Sequence, residues 1–211
     1  MEERLPRDKD PDSEARGRLL AAATDLFARK GYAATAVREI VAAAGVSPPV
    51  LYYHFGNKEG LFLELMREAW GDFESTVDAA LGETGSARDR LLRLASQVVD
   101  LFRAHVGVAR VMNSIYYGPP QGAPAFDFDS CHTKFRQAIL GLVQEGVSGG
   151  EFRPGQVGDM AWAIIGAINI AMEIELCHPE LSLGPEGLLR VLHLIFRGIE
   201  APRVGPEEEA L

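Results

Sequence analysis

Apolar residues recur at helical spacing along almost the whole chain, and no stretch shows the sustained alternation of a half-buried strand. A first helix is expected from about Ser13 to Lys30, with Leu19, Ala22, Ala23, Leu26 and Phe27 on one stripe. Gly31 stops it, and Arg29 and Lys30 suit the negative end of its dipole. Thr35 is the expected cap of a second helix with Val37, Ile40, Val41 and Ala44 on its core face, ended by Gly45. Ser47 caps a third helix, with Pro48 at the first position, where a missing N–H costs nothing. Leu51 and Phe55 point inward and Gly56 closes the helix. Asn57 caps a long fourth helix from Lys58 to about Leu81.

Glycine- and proline-rich loops at 82–86, 118–124, 146–155 and 178–187 leave further helices near 87–104, 106–117, 125–146, 156–177 and 185–200. The pattern predicts an all-α chain of about nine helices, three in a head and six in a body. The expected divisions are a disordered N-terminal arm at 1–12, a head at 13–60, a body at 61–200 and a flexible tail at 201–211.

Composition narrows the class. Among 211 residues the apolar share is 47% and the charged share 24%, which excludes a disordered chain. Two cysteines, Cys131 and Cys177, form no disulfide framework and fit a reducing cytosol. The N-terminus lacks the apolar core of a signal peptide. The longest apolar run, at 160–172, is too short for a membrane span, so a cytoplasmic location is expected. The net charge of −9 is unusual for a nucleic-acid binder, but its distribution is uneven. Residues 15–58 carry six basic and two acidic side chains, whereas residues 61–211 carry 12 basic and 21 acidic ones. A basic head can approach phosphates while an acidic body stays in solvent.

The second and third helices, joined at Gly45–Ser47, have the layout of a helix-turn-helix, whose second helix enters the DNA major groove. The expected exposed set is Thr35, Arg38, Ser47, Pro48, Pro49, Val50, Tyr52, Tyr53, His54 and Lys58. Hydroxyls and lysine suit phosphate oxygens, aided by the positive N-terminus of the third helix. Arg38 can fork onto a guanine edge, and Val50 and the prolines suit thymine methyl groups. An ordinary helical hairpin with two core tyrosines is the bland alternative. Two adjacent tyrosines and a histidine cannot all face inward on one helix.

The segments LLAAATDLFARKGYAATAVREIVAAAGVS and LYYHFGNKEGLF closely resemble the DNA-binding domain of the tetracycline-repressor (TetR) family of transcriptional regulators. The resemblance implies backbone contacts by Thr35, Val37, Ser47, Tyr52, Tyr53, His54 and Lys58. It places Arg38, Pro48, Pro49 and Val50 nearest the base edges. The family commonly has a polar or basic residue and a glycine where this chain has Pro48 and Pro49, neither of which donates a hydrogen bond. Base reading is then expected to lean on Arg38, thymine methyls and DNA shape.

The resemblance also implies a C-terminal domain that dimerises and binds a small effector. The helices near 156–177 and 185–200 are strongly apolar, through Trp162, Ile164, Ile165, Ile168, Leu188, Val191, Leu192, Ile195 and Phe196. They are the expected seam of a homodimer. Candidate ligand-binding residues are Asn113, Tyr116, Tyr117, His132, Phe135, Arg136 and Trp162, which would suit an apolar or aromatic molecule. Glu173, if it faced the cavity, would favour a cationic one. No cofactor is expected. The dipeptides Cys131-His132 and Cys177-His178 lack metal-ligand spacing, so no metal is expected. GxSxG, Walker and Rossmann motifs are absent, and an enzyme is not expected. The reading is a homodimeric, ligand-responsive repressor of a palindromic DNA operator. The alternative is a DNA-binding regulator without a small-molecule effector.

Overall fold

The computed structural model describes residues 11–118 and 122–201. Nine α-helices account for most of the described residues: α1 (Pro11–Lys30), α2 (Val37–Ala44), α3 (Pro48–Phe55), α4 (Lys58–Gly82), α5 (Ala87–Ala104), α6 (Val106–Tyr116), α7 (Phe128–Ser148), α8 (Val157–Cys177) and α9 (Gly184–Ile199). A turn of 3-10 helix at Pro179–Leu181 interrupts the α8–α9 connection. No strand occurs among the described residues, and one isolated antiparallel bridge joins Phe152 to Glu200. The all-α expectation is met.

Most helix ends fall within a few residues of those expected. α1 starts at Pro11, before Ser13, and so takes in two residues expected in the arm. The rest of that arm, 1–10, and the tail at 202–211 lie outside the described residues. α7 starts at Phe128 because Asp127 caps it, its Oδ1 accepting the Ser130 N–H at 3.1 Å. Asn57 caps α4 as expected, with Oδ1 accepting the Gly60 N–H at 2.7 Å. A side chain at Gly60 would run into the Phe55 carbonyl oxygen, so the α3–α4 junction requires glycine there.

The chain forms two compact units. The first holds α1, α2, α3, α4 through Trp70, and α6. Its core contains Leu19, Ala23, Phe27, Ile40, Leu51, Leu61 and Phe62. Phe27, Tyr32 and Phe62 pack ring to ring with centroids 5.2–6.1 Å apart. Arg16 ties α1 to α4, donating to Glu68 at 2.5 Å and to Glu64 at 2.7 Å. α6 packs on α1 so closely that a Cβ at Gly107 would meet Thr24 Cγ2 at 2.8 Å. The first unit is therefore not one continuous stretch of sequence.

The second unit holds α4 from Gly71, α5, α7, α8 and α9. Leu94, Ile139, Leu142, Phe152, Ile164, Leu192 and Phe196 are fully shielded at its centre. Glu151 caps α5 by accepting the Ala87 and Arg88 N–H groups at 2.7 and 2.9 Å. α8 spans 21 residues with a mean hydropathy of 1.6 over its most apolar window, enough by length and composition to cross a membrane. The apolar run at 160–172 read in the sequence lies within this longer helix. Only 28% of that window is buried within the chain. One face, with Ile164, Ile165 and Ile168, enters the core, while Trp162 and Ile170 on the other face are exposed.

Candidate nucleic-acid interface

The geometry of the first unit is set by short turns at Gly31 and Gly45. Gly31 ends α1 at φ 82°, and its N–H reaches the Phe27 carbonyl at 2.9 Å. Gly45 ends α2 in the left-handed conformation, φ 64° and ψ 38°. The Val46 N–H then returns to the Val41 carbonyl at 3.0 Å, closing the helix and turning the chain into α3. On α3, Leu51 is buried while Tyr52 and Tyr53 are exposed, Tyr53 by 76%. Arg38 on α2 and Ser47, Pro48 and Pro49 at the start of α3 are also exposed. Val37 and Val50 are half-buried. The hydroxyl, aromatic and cationic groups expected on this surface are thus brought together, with three departures.

Thr35 is the first. It is 1% exposed and does not cap α2; its hydroxyl donates to the Gly31 carbonyl at 2.8 Å. The residue preceding α2 is Ala36, whose N–H is held by Glu39 Oε2 at 2.8 Å. Glu39 Oε1 also receives Lys30 Nζ at 2.5 Å. These bonds, the lysine one foremost, hold the Glu39 carboxyl below the ordinary carboxylate range.

Lys58 is the second departure. Its ammonium is partly shielded and donates to the Tyr32 and Thr35 carbonyls, both at 3.0 Å. It also lies 4.2 Å from the Tyr32 ring centroid. Burial pushes its pKa down. In this structure the ammonium clamps the α1–α2 turn to the start of α4.

His54 is the third. Its side chain is 6% exposed and sits 3.4 Å from Asp12 of α1, so it does not share the outward face of the tyrosines. The start of α3 also differs from expectation. Ser47 occupies the capping position but its side chain forms no cap bond. Pro48 and Pro49 have no N–H, and the Val50 N–H is taken by the Ser47 carbonyl at 3.1 Å. The helix start offers fewer donors to an anion than an ordinary N-terminus.

The candidate ligand residues divide between the units. Asn113, Tyr116 and Tyr117 belong to the first, the two tyrosine rings meeting edge to face at 4.8 Å. His132, Phe135, Arg136 and Trp162 belong to the second. Phe135 is core, packed against Phe73 with centroids 5.9 Å apart. Trp162 is 67% exposed, and His132 and Arg136 are exposed too. None of these four lines the apolar cleft of the second unit. Sequence reasoning missed this cleft, of about 80 Å³, walled by Val99, Ile170, Ile174, Leu183, Leu188 and Val191. Its only sequence signal was small residues, Ala167 and Ala171, one turn apart on α8. Glu175 lines it and is paired with Arg103 at 2.6 Å, whereas Glu173 is exposed. The Cys131 thiol is pushed up to about 12 by burial and by the Asp127 charge, which leaves it without thiolate character. Among the described residues no group of three or more His, Cys, Asp or Glu is placed to hold a metal.

This arrangement has close counterparts among known proteins. The profile of the bacterial regulatory proteins of the tetR family matches residues 19–65, which run from α1 into α4. The transcriptional activator FasR of Mycolicibacterium smegmatis is 39% identical over 122 residues, or 57% of this chain and 53% of FasR. The match thus spans about half of that relative's length. The repressor KstR2 of Rhodococcus jostii is 29% identical over 150 residues, covering 69% of this chain and 72% of KstR2. In fold, the crystal structure of FadR from Bacillus subtilis in complex with stearoyl-CoA superposes with a TM-score of 0.65 at 22% identity, over 87% of this chain and 99% of FadR. Over residues 19–65 the chain belongs to the tetR family of bacterial regulatory proteins.

Proposed function

We propose that this chain is a homodimeric, cytoplasmic regulator that binds a palindromic operator through α3 and is released from it by a small apolar effector. The functional division is a DNA-binding head over 13–60 and a dimerising, effector-binding body over 61–200. The observation that carries the reading is the outward surface of Arg38, Ser47, Tyr52 and Tyr53 on a basic segment that is fixed from behind by Leu51. Tyr52, Tyr53 and Ser47 would meet phosphates, and Arg38 a base edge. Pro48, Pro49 and Val50 would add apolar contact to thymine methyls. FasR is an activator and KstR2 a repressor; repression is the sign proposed here.

The effector proposed is an acyl or steroid-like molecule. FadR was crystallised with stearoyl-CoA, and KstR2 of Mycobacterium tuberculosis, another neighbour in fold at a TM-score of 0.71, is a ketosteroid regulator. The cleft of about 80 Å³ in the second unit is well below the roughly 300–1,000 Å³ of ordinary ligand sites. Binding would therefore require the body to open, and only a ligand that prefers the opened state can shift DNA affinity. The test is a mobility shift on a selected operator duplex with stearoyl-CoA, a ketosteroid or a cationic dye added. Release by either of the first two supports the reading. Release by none of them, in a protein that binds the duplex, supports an effector-free regulator.

A further inference from the structure

The helix that would enter the groove carries few groups able to read a base edge by hydrogen bonding. α3 has the sequence PPVLYYHF, with no Lys, Arg, Asn, Gln, Asp or Glu, the side chains that pair most specifically with base edges. Pro48 and Pro49 have no N–H, and the Val50 N–H is held by the Ser47 carbonyl at 3.1 Å. Of the polar side chains on α3, His54 is 6% exposed, and Tyr52 and Tyr53 stand on the second turn. The first turn offers two exposed proline rings and the half-buried Val50 side chain, backed by buried Leu51. This apolar edge sits on a segment, residues 15–58, with six basic side chains against two acidic ones. That charge draws the edge toward a polyanion rather than toward another apolar surface.

We propose that Pro48, Pro49 and Val50 read pyrimidine C5-methyl groups and accept 5-methylcytosine as well as thymine, so that methylation of a cytosine in the half-site strengthens binding. The C5-methyl is the apolar feature of a base edge in the major groove. Thymine and 5-methylcytosine carry it; uracil and cytosine do not. Thymine and 5-methylcytosine differ beside that methyl, where one presents an oxygen acceptor and the other an amino donor. A hydrogen-bonding side chain separates those two groups, and proline rings and a valine do not. The same patch therefore treats both bases alike and discriminates against their unmethylated counterparts. Cytosine methylation then acts on the DNA side of the complex, independently of any effector in the second unit. The inference rests on the DNA-binding reading above.

The test uses the full chain and a duplex recovered with it from a random library. Each thymine is replaced in turn by uracil, which removes only the methyl group. Where that weakens binding, the pair is exchanged for cytosine–guanine and for 5-methylcytosine–guanine, and affinities are compared at constant salt. Uracil should cost roughly three- to fivefold per contacted methyl, and 5-methylcytosine should gain a similar factor over cytosine. A variant combining Pro48→Ser, Pro49→Ser and Val50→Ser should lose both effects. Uracil tolerated at every thymine, or 5-methylcytosine bound no better than cytosine, overturns the proposal while DNA binding stands. A variant that keeps both effects also overturns it, because the methyl dependence then belongs to the DNA itself. Should the variant not bind, the wild-type comparisons decide. Failure to recover any duplex overturns the DNA-binding reading, and the methyl reading falls with it.

Discussion

A single ammonium group, that of Lys58, joins the α1–α2 turn to the start of α4. Lys58→Ala should remove two charge-assisted hydrogen bonds and lower the stability of the first unit by about 1–3 kcal/mol. Thermal melting of the purified variant and wild type would check this, and the salt slope of DNA binding should change by less than the one unit a phosphate contact would remove. Glu39 gives a pH prediction. Its folded carboxyl titrates below its unfolded value near about 4.3. Its contribution is then fully present above that value and disappears as pH falls through the lower, folded one. The melting difference between wild type and Glu39→Gln should shrink on acidification below about pH 4. Thr35 does not cap α2, and Lys58 makes bonds the sequence did not show, for a common reason. Hydroxyl and ammonium groups near a helix start suit a cap or a phosphate equally well in sequence. Only the folded turn shows that backbone carbonyls at Gly31, Tyr32 and Thr35 have claimed them. Arg38 keeps its expected place on the exposed face of α2, and Arg38→Ala should relax base preference at one pair per half-site by roughly 1–3 kcal/mol, readable in a binding selection.

At the level of elements, helix positions were largely legible because apolar spacing, Gly stops and caps point the same way. α5 falls where the pattern of Leu91, Leu94, Ala95, Val98 and Val99 places it. The α2–α3 turn was legible for the same reason. Gly45 sits where only a residue without Cβ is unstrained, so Gly45→Ala should destabilise the turn by about 1–2 kcal/mol and tilt α3. Melting and DNA affinity measured together would show both effects; unchanged values for each would mean that the turn does not set α3. What was not legible is long-range. The approach of α6 to α1 depends on Gly107 and Thr24, residues more than 80 positions apart with no local signal of contact. The ligand residues were grouped by aromatic character along the sequence, and burial then separated Phe135 in the core from Trp162 at the surface.

For the whole molecule, the apolar surface left on the second unit needs a cover. Trp162 and Ile170 on α8 and Leu194 on α9 are each more than half exposed, Leu194 by 65%. The sequence put Ile195 in the dimer seam; it is partly buried against the chain's own core, in which Ile164, Leu192 and Phe196 are fully buried. The seam proposed here therefore turns one residue, from Ile195 to Leu194, and takes in Trp162 and Ile170. A two-fold partner would bury the same face on both copies. Leu194→Asp changes a surface residue, so the single chain should still fold, keeping its helix content, while two buried carboxylates would face each other across the seam. Sedimentation at micromolar concentration should show a dimer for the wild type and a monomer for Leu194→Asp. The monomer should lose most operator affinity, because two half-sites are then no longer bound at a shared effective concentration. Ile195→Asp, by contrast, should unfold the second unit rather than merely separate the copies. A Leu194→Asp protein that remains dimeric with full affinity would place the seam elsewhere.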